Sequence, residues 1–187
     1  MRQDRVASSI IKGKGMKFRF IAVSVALFVV GAPGAFAAQK VAPSQYHDKD
    51  KQEAARALLE VAKVQAGKGS WERIAVGRVY YLGGFKSEGQ AIFDDVLAND
   101  PEGTDLFRIA RIYRQAGEWE RAKALFERAL QDKPKDVQGV AELGAYYMLL
   151  GDRAAAEQLF DRSFQREDEL WSTVAAAGSY LGVPPQE

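Results

Sequence analysis

Between residues 70 and 169 the apolar positions recur at spacings of three and four. No stretch alternates for long enough to make a strand, and that periodicity predicts helices throughout. Residues 103–136 show it best. Leu106, Ile109, Ala110 and Tyr113 form one apolar stripe, and Ala122, Leu125, Phe126, Ala129 and Leu130 form a second, with Gly117 between them. Two short helices with one apolar stripe each bury those stripes by folding back on one another. Upstream, residues 52–66 predict another helix, with Ala55, Leu59 and Ala62 on its apolar side. Gly67-Lys68-Gly69 stops it, and Ser70 is expected to cap the helix that opens at Trp71. Downstream, residues 169–182 predict a last helix, which Val183-Pro184-Pro185 ends.

The same arrangement then repeats. Tyr80, Tyr113 and Tyr147 recur with a period of about 34 residues, a length typical of stacked helical units. Gly84, Gly117 and Gly151 keep the same two intervals, as do Phe93, Phe126 and Phe160. Three residue types holding one period define a structural unit. Gly77, Ala110 and Gly144 on the first helix, and Gly89, Ala122 and Ala156 on the second, are small where two backbones must approach. The tyrosines and phenylalanines fill the space between layers. Gly84, Gly117 and Gly151 follow a helical run, where a left-handed cap favours glycine. Pro101 and Pro134 close one unit and hold the residue before them extended.

The middle copy, Leu106-x2-Ile109-Ala110-x2-Tyr113, then Gly117, then Ala122-x3-Phe126-x2-Ala129 and Pro134, resembles the tetratricopeptide repeat (TPR) family. The first copy departs from the pattern at Arg73, Gly89 and Val96, the third at Ser163 and Asp168. The resemblance implies an all-α fold, a right-handed α-solenoid of antiparallel helix pairs. It would contain about three units, at about 70–102, 103–136 and 137–170. The helix of 52–66 would be a half repeat before them and 169–182 a capping helix after them, which makes residues 52–187 the solenoid domain and 39–51 a flexible lead-in. Gly178 and Leu181 follow Gly144 and Tyr147 by one period, so the last helix is a fourth first-helix.

In the TPR family the first helices line a concave groove that takes an extended peptide or a partner's helix. Carried onto this chain, the groove positions expected to hold a partner are Trp71, Arg78, Tyr81, Phe107, Arg111, Arg114, Gln138 and Met148. Arginine next to aromatic side chains suits a segment with carboxylates and an apolar anchor. The Asn and Lys residues of carboxylate-clamp members are missing here, so binding of chaperone tails is not expected.

Residues 1–38 read as an address. Six basic side chains and one acid precede or enter an apolar run, Phe20 to Val30, which gives way to Gly31, Pro33 and Gly34 and then Ala35-Phe36-Ala37. An apolar run of that length is shorter than the roughly 20 residues that span a bilayer. Small residues after it suit a signal peptidase, which would cut near Ala37 or Ala38. Met16 before Lys17-Phe18-Arg19 is an alternative start. The expectation is export to the periplasm, with an uncut inner-membrane anchor as the alternative.

Composition then narrows the chemistry. The formal charge is +1, but setting aside residues 1–38 leaves 20 basic against 24 acidic residues, about −4. That is a poor balance for nucleic acid or anionic lipid. There is no cysteine and one histidine, His47, in the lead-in, so neither a Cys-His or Ser-His-Asp arrangement nor a zinc site of those ligands is expected. Asp94-Asp95 reads as a solvated face, Gly83-Gly84 as a helix-ending turn, and Glu167-Asp168-Glu169 as acids at a helix start. The sequence therefore predicts no catalytic, cofactor or metal site. It predicts a protein or peptide partner, with the apolar last helix as a contact for a second copy. Three roles stand in order: a periplasmic adaptor, a membrane-anchored assembly factor of an envelope, secretion or pilus machine, and an accessory subunit of a cell-wall enzyme.

Overall fold

The computed structural model describes residues 40–186, so the address at residues 1–38 lies outside the described residues. Among those described, the secondary structure is helical throughout. One 3-10 turn, Pro43–Gln45, precedes α1 (Lys51–Ala66), α2 (Ser70–Leu82), α3 (Lys86–Ala98), α4 (Gly103–Gln115), α5 (Trp119–Asp132), α6 (Val137–Leu149), α7 (Arg153–Phe164) and α8 (Leu170–Tyr180). No helix among them is long and apolar enough to cross a membrane.

Local chemistry sets the helix ends. Asp50 accepts from the amides of Gln52 and Glu53 and so starts α1, and Asp152 accepts from Ala155 to start α7. These caps satisfy amides that the helix cannot pair itself. The expected Ser70 cap does not form. Helix α2 begins at Ser70, Gly69 is its cap without a side-chain bond, and the Ser70 hydroxyl instead donates to Asp105 on α4 at 3.1 Å. A tertiary acceptor has taken a hydroxyl that local spacing had assigned to its own helix. Gly84, Gly117 and Gly151, in the turns after α2, α4 and α6, have φ of 95°, 77° and 89°, the left-handed region where a side chain is strained.

Those turns fold α2 on α3, α4 on α5 and α6 on α7, so the domain is a solenoid of antiparallel helix pairs. Within a pair the backbones approach closely. A Cβ at Gly144 would stand 2.8 Å from the Phe160 ring, too near for any contact. The main core runs through all three pairs and includes Phe93, Leu106, Ile109, Tyr113, Phe126, Leu130 and Val140. Its rings interlock edge to face, as in Phe93 with Tyr113 at 5.9 Å and Phe107 with Phe126 at 5.2 Å. In the third pair the neighbour of the repeated tyrosine does this work. Tyr146 is fully buried and stacks on Phe126 at 5.3 Å, while Tyr147 is half-buried. Ser163, a departure from the small-residue pattern, is buried and donates its hydroxyl to the Val137 carbonyl at 2.8 Å.

Candidate functional site

Helices α2, α4, α6 and α8 are the successive first helices, and two of the expected groove arginines join them. Arg78 on α2 donates to the Gln115 amide oxygen on α4 at 2.9 Å. Arg111 on α4 makes a forked pair with Glu142 on α6, Nε to Oε1 at 2.7 Å and Nη2 to Oε2 at 2.6 Å. Glu142 is buried, and the Tyr146 hydroxyl also donates to it at 3.0 Å. A two-bond guanidinium–carboxylate pair fixes orientation as well as distance. Burial and the neighbouring Glu142 charge push the Tyr146 phenol up from its ordinary value. Arg114 lies over the face of the same ring at 4.6 Å.

This clasp spans a gap. No Cα of α4 comes within 8 Å of one in α6, whereas α8 packs directly along α6. Ala145 and Ala176 are both buried at that close joint. The gap leaves a cleft of about 570 Å³ between α4, α6 and α8. Its polar floor is Arg111, Gln138 and Glu142, and its apolar walls include Trp171, Val174 and the segment Val183-Pro184-Pro185. A smaller hollow of about 200 Å³ adjoins it, where Phe107, Arg108 and Thr104 meet the same polar trio.

The structure therefore brings Phe107, Arg111 and Gln138 of the expected groove residues together and disperses the others. Arg114 is half-buried over Tyr146, and Met148 is half-buried beside the alanines of the α6–α8 joint. Trp71 is exposed at the other end of the solenoid, under the Arg108 guanidinium at 5.8 Å. Tyr81 is buried. Its hydroxyl donates to Glu118 at 2.8 Å and accepts from Arg121 at 2.9 Å. There Lys86 also reaches Glu118, at 2.5 Å. Burial raises the Glu118 pKa, but the hydrogen bonds from Lys86, Arg121 and Tyr81 outweigh it and hold the carboxyl down at about 2. Burial first, and Glu118 beside it, push Tyr81 up to about 12. That network ties α2, α3 and α5 together.

Glu142, Trp171 and the Val183-Pro184-Pro185 segment line the cleft without having been expected there. Glu142 carried one signal in the sequence, a lone acid within the otherwise uncharged stretch 137–151. A larger hollow of about 640 Å³ lies between α5, α6 and α7, lined by Glu127, Gln131, Gln158 and Arg162 among others. It opens on the side of the second helices, away from the clasp. Among the described residues, no group of three or more His, Cys, Asp or Glu side chains is placed to hold a metal ion.

Residues 113–177 match a family model described as tetratricopeptide repeat. No curated protein and no solved structure matches the chain.

Proposed function

Residues 113–177 make the chain a tetratricopeptide repeat protein, and on that footing we propose that it is a non-enzymatic adaptor that holds a protein partner in the cleft between α4, α6 and α8. Repeats of this family mediate protein–protein interaction. The observation that carries the choice of seat is the joint between α4 and α6. The first helices stand apart there, with a buried charged clasp below and exposed Trp171 beside it. A polar floor with an aromatic wall fits an extended segment that carries one apolar anchor and one hydrogen-bonding group. Because Glu142 already neutralises Arg111, the cleft suits an amide or hydroxyl on the partner better than a carboxylate. This refines the expectation of an acidic segment.

The proposed place of work is the periplasm or cell envelope. The basic and then apolar run of residues 1–38 and the small residues at 35–38 support that reading. A membrane-anchored assembly factor is the second reading, with the run Phe20–Val30 retained; mass analysis of the N-terminus after fractionation separates the two. A soluble product starting near residue 38 supports export and cleavage, and full-length protein in the membrane fraction overturns them.

The cleft is tested by crosslinking pull-down with full-length protein. Gln138→Trp fills the cleft and leaves the Arg111–Glu142 pair intact, while Gln158→Trp fills the hollow on the side of the second helices. Loss of a partner with Gln138→Trp alone supports the cleft. Loss with Gln158→Trp alone moves the seat to the other side, and retention by both removes both hollows from consideration.

A further inference from the structure

Helix α8 exposes Val174, Ala177 and Leu181, at positions that α4 buries completely and α6 buries except at Tyr147. Val174, Ala177, Gly178 and Leu181 stand one repeat period after Val140, Leu143, Gly144 and Tyr147. In the third unit α7 covers those positions, and Val140 and Leu143 are 2% and 3% exposed. Among the described residues no second helix follows α8, and Val174 and Leu181 are 50% and 81% exposed. Residues 170–183 carry no charge, so this open face is apolar without interruption. The opposite end has the converse gap. Ala55, Leu59 and Ala62 of α1 stand one period before Gly89, Phe93 and Val96, so α1 holds the place of a second helix; among the described residues no first helix precedes it, and of the three only Leu59 is buried. Where that first helix would lie, between α1 and α2, there is an apolar cleft of about 320 Å³ lined by Ala62, Ala66, Trp71, Ala75 and Val76. Ala75 holds the position on α2 that Ala176 holds on α8. Ala176 is buried against the preceding first helix, while Ala75 is exposed.

We propose that copies of this chain join head to tail, with α8 of one copy seated in the α1–α2 cleft of the next to form a composite repeat. Among the described residues, one end offers a first helix and the other a second helix, in the phase that the sequence keeps elsewhere. Charge also matches. In a helix pair the start of the first helix lies near the end of the second. That places Glu167, Asp168 and Glu169, at the start of α8, by Lys63 and Lys68, at the end of α1 of the neighbour. Lys68 is exposed, as are Glu167 and Asp168, whereas Lys63 is paired with Glu60 on its own helix at 2.7 Å and Glu72 also lines the cleft, so Lys68 is the lysine left for the acids. A head-to-tail contact of this kind joins two different surfaces, so it builds open chains or closed rings rather than a two-fold symmetric dimer. Val174 and Gly178 also line the cleft assigned to the partner, so the variants below are placed at Leu181 and Ala75, which do not line it, and failure of one reading can be told from failure of the other.

The test uses two exposed-surface variants of the full chain, Leu181→Asp on α8 and Ala75→Glu in the α1–α2 cleft, weighed by sedimentation. Wild type is expected to grow in mass with concentration beyond two chains, and each variant to stay at one chain with its helical circular dichroism unchanged. A mixture of the two variants retains one intact α8 and one intact cleft, so it should form a complex of two chains and go no further. Wild type that remains one chain at every concentration overturns the proposal. So does a wild-type dimer that Leu181→Asp abolishes and Ala75→Glu leaves whole, because that result assigns α8 to a symmetric contact with its own copy. As a check independent of mass, single cysteines introduced at Ala66, at the end of α1, and at exposed Leu170, at the start of α8, can be oxidised in mixture, the chain having none of its own. Head-to-tail stacking predicts a cross-link between the two different variants in preference to either variant with itself.

Discussion

Helices α6 and α8 carry the same pattern one period apart and live in different surroundings. Helix α6 is enclosed by α5, α7 and α8, and most of its side chains are buried, Glu142 included. Helix α8 has only one side covered, where Ser172, Ala176 and Ser179 face the interior. An apolar residue in a repeat marks a place that can be buried, and a neighbouring helix is what buries it. The joints differ as well. Helices α4 and α6 stand apart and are held by a charged clasp, whereas α6 and α8 touch through alanines.

The widest separation between the two helices should come from placing a charge at equivalent positions. Val140→Asp puts a carboxylate into the core with no partner and should cost about 3 kcal/mol or more, whereas Val174→Asp on the open face should stay within about 0.5 kcal/mol of wild type. Urea unfolding at low protein concentration reads both. An equal cost for the two would mean that α8 is covered in solution.

Next in size is the glycine pair. Gly144→Leu drives its side chain into Phe160 and should lose about 1–3 kcal/mol, with a lower melting temperature to match. A Cβ at Gly178 would meet the Val183 carbonyl oxygen at 3.1 Å. The terminal segment can yield there, so Gly178→Ala should change stability by less than about 1 kcal/mol.

The clasp comes third. Glu142→Gln keeps the shape and removes the charge, which should cost about 1.5 kcal/mol and let the Arg111 side chain turn toward the cleft. Urea unfolding reads the cost, and because Glu142 is buried and Arg111 half-buried, added salt should change it little; a strong salt dependence would mean that the pair opens to solvent.

The smallest effect serves as a control that touches neither helix. Glu118 has its pKa lowered from 4.5 to about 2. Its contribution is fully present above about pH 4.5 and is lost as the pH falls through 2, because the unfolded chain takes up the proton first. Glu118→Gln should flatten the loss of stability over that window, measured by acid titration of the helical signal. A wild-type profile already flat there would remove Glu118 from the account.

Much of this was legible in the sequence. The period placed the turn glycines at positive φ and most of the repeated aromatic and small residues in the core, with Tyr147 giving way to Tyr146, because each follows from the identity and spacing of residues along one chain. The candidate site was legible only in part. Arg111 and Gln138 were read as groove residues, and both line the cleft. Arg111 was expected to meet a partner's acid, and its acid is Glu142, 31 residues on. Tyr81 shares its helix with Arg78, yet its hydroxyl is held by Glu118 and Arg121, 37 and 40 residues away. The expected cap of α2 failed for the same reason, since the Ser70 hydroxyl found Asp105.

The sequence by itself determined the helical period, the repeat and its turns, because those depend on backbone geometry and on apolar spacing within a single repeat. Only the tertiary structure decided how far apart successive first helices stand, which charges pair across them, and which apolar face stays open. Those outcomes depend on the volume and reach of side chains from distant parts of the chain, which meet only after the helices have stacked.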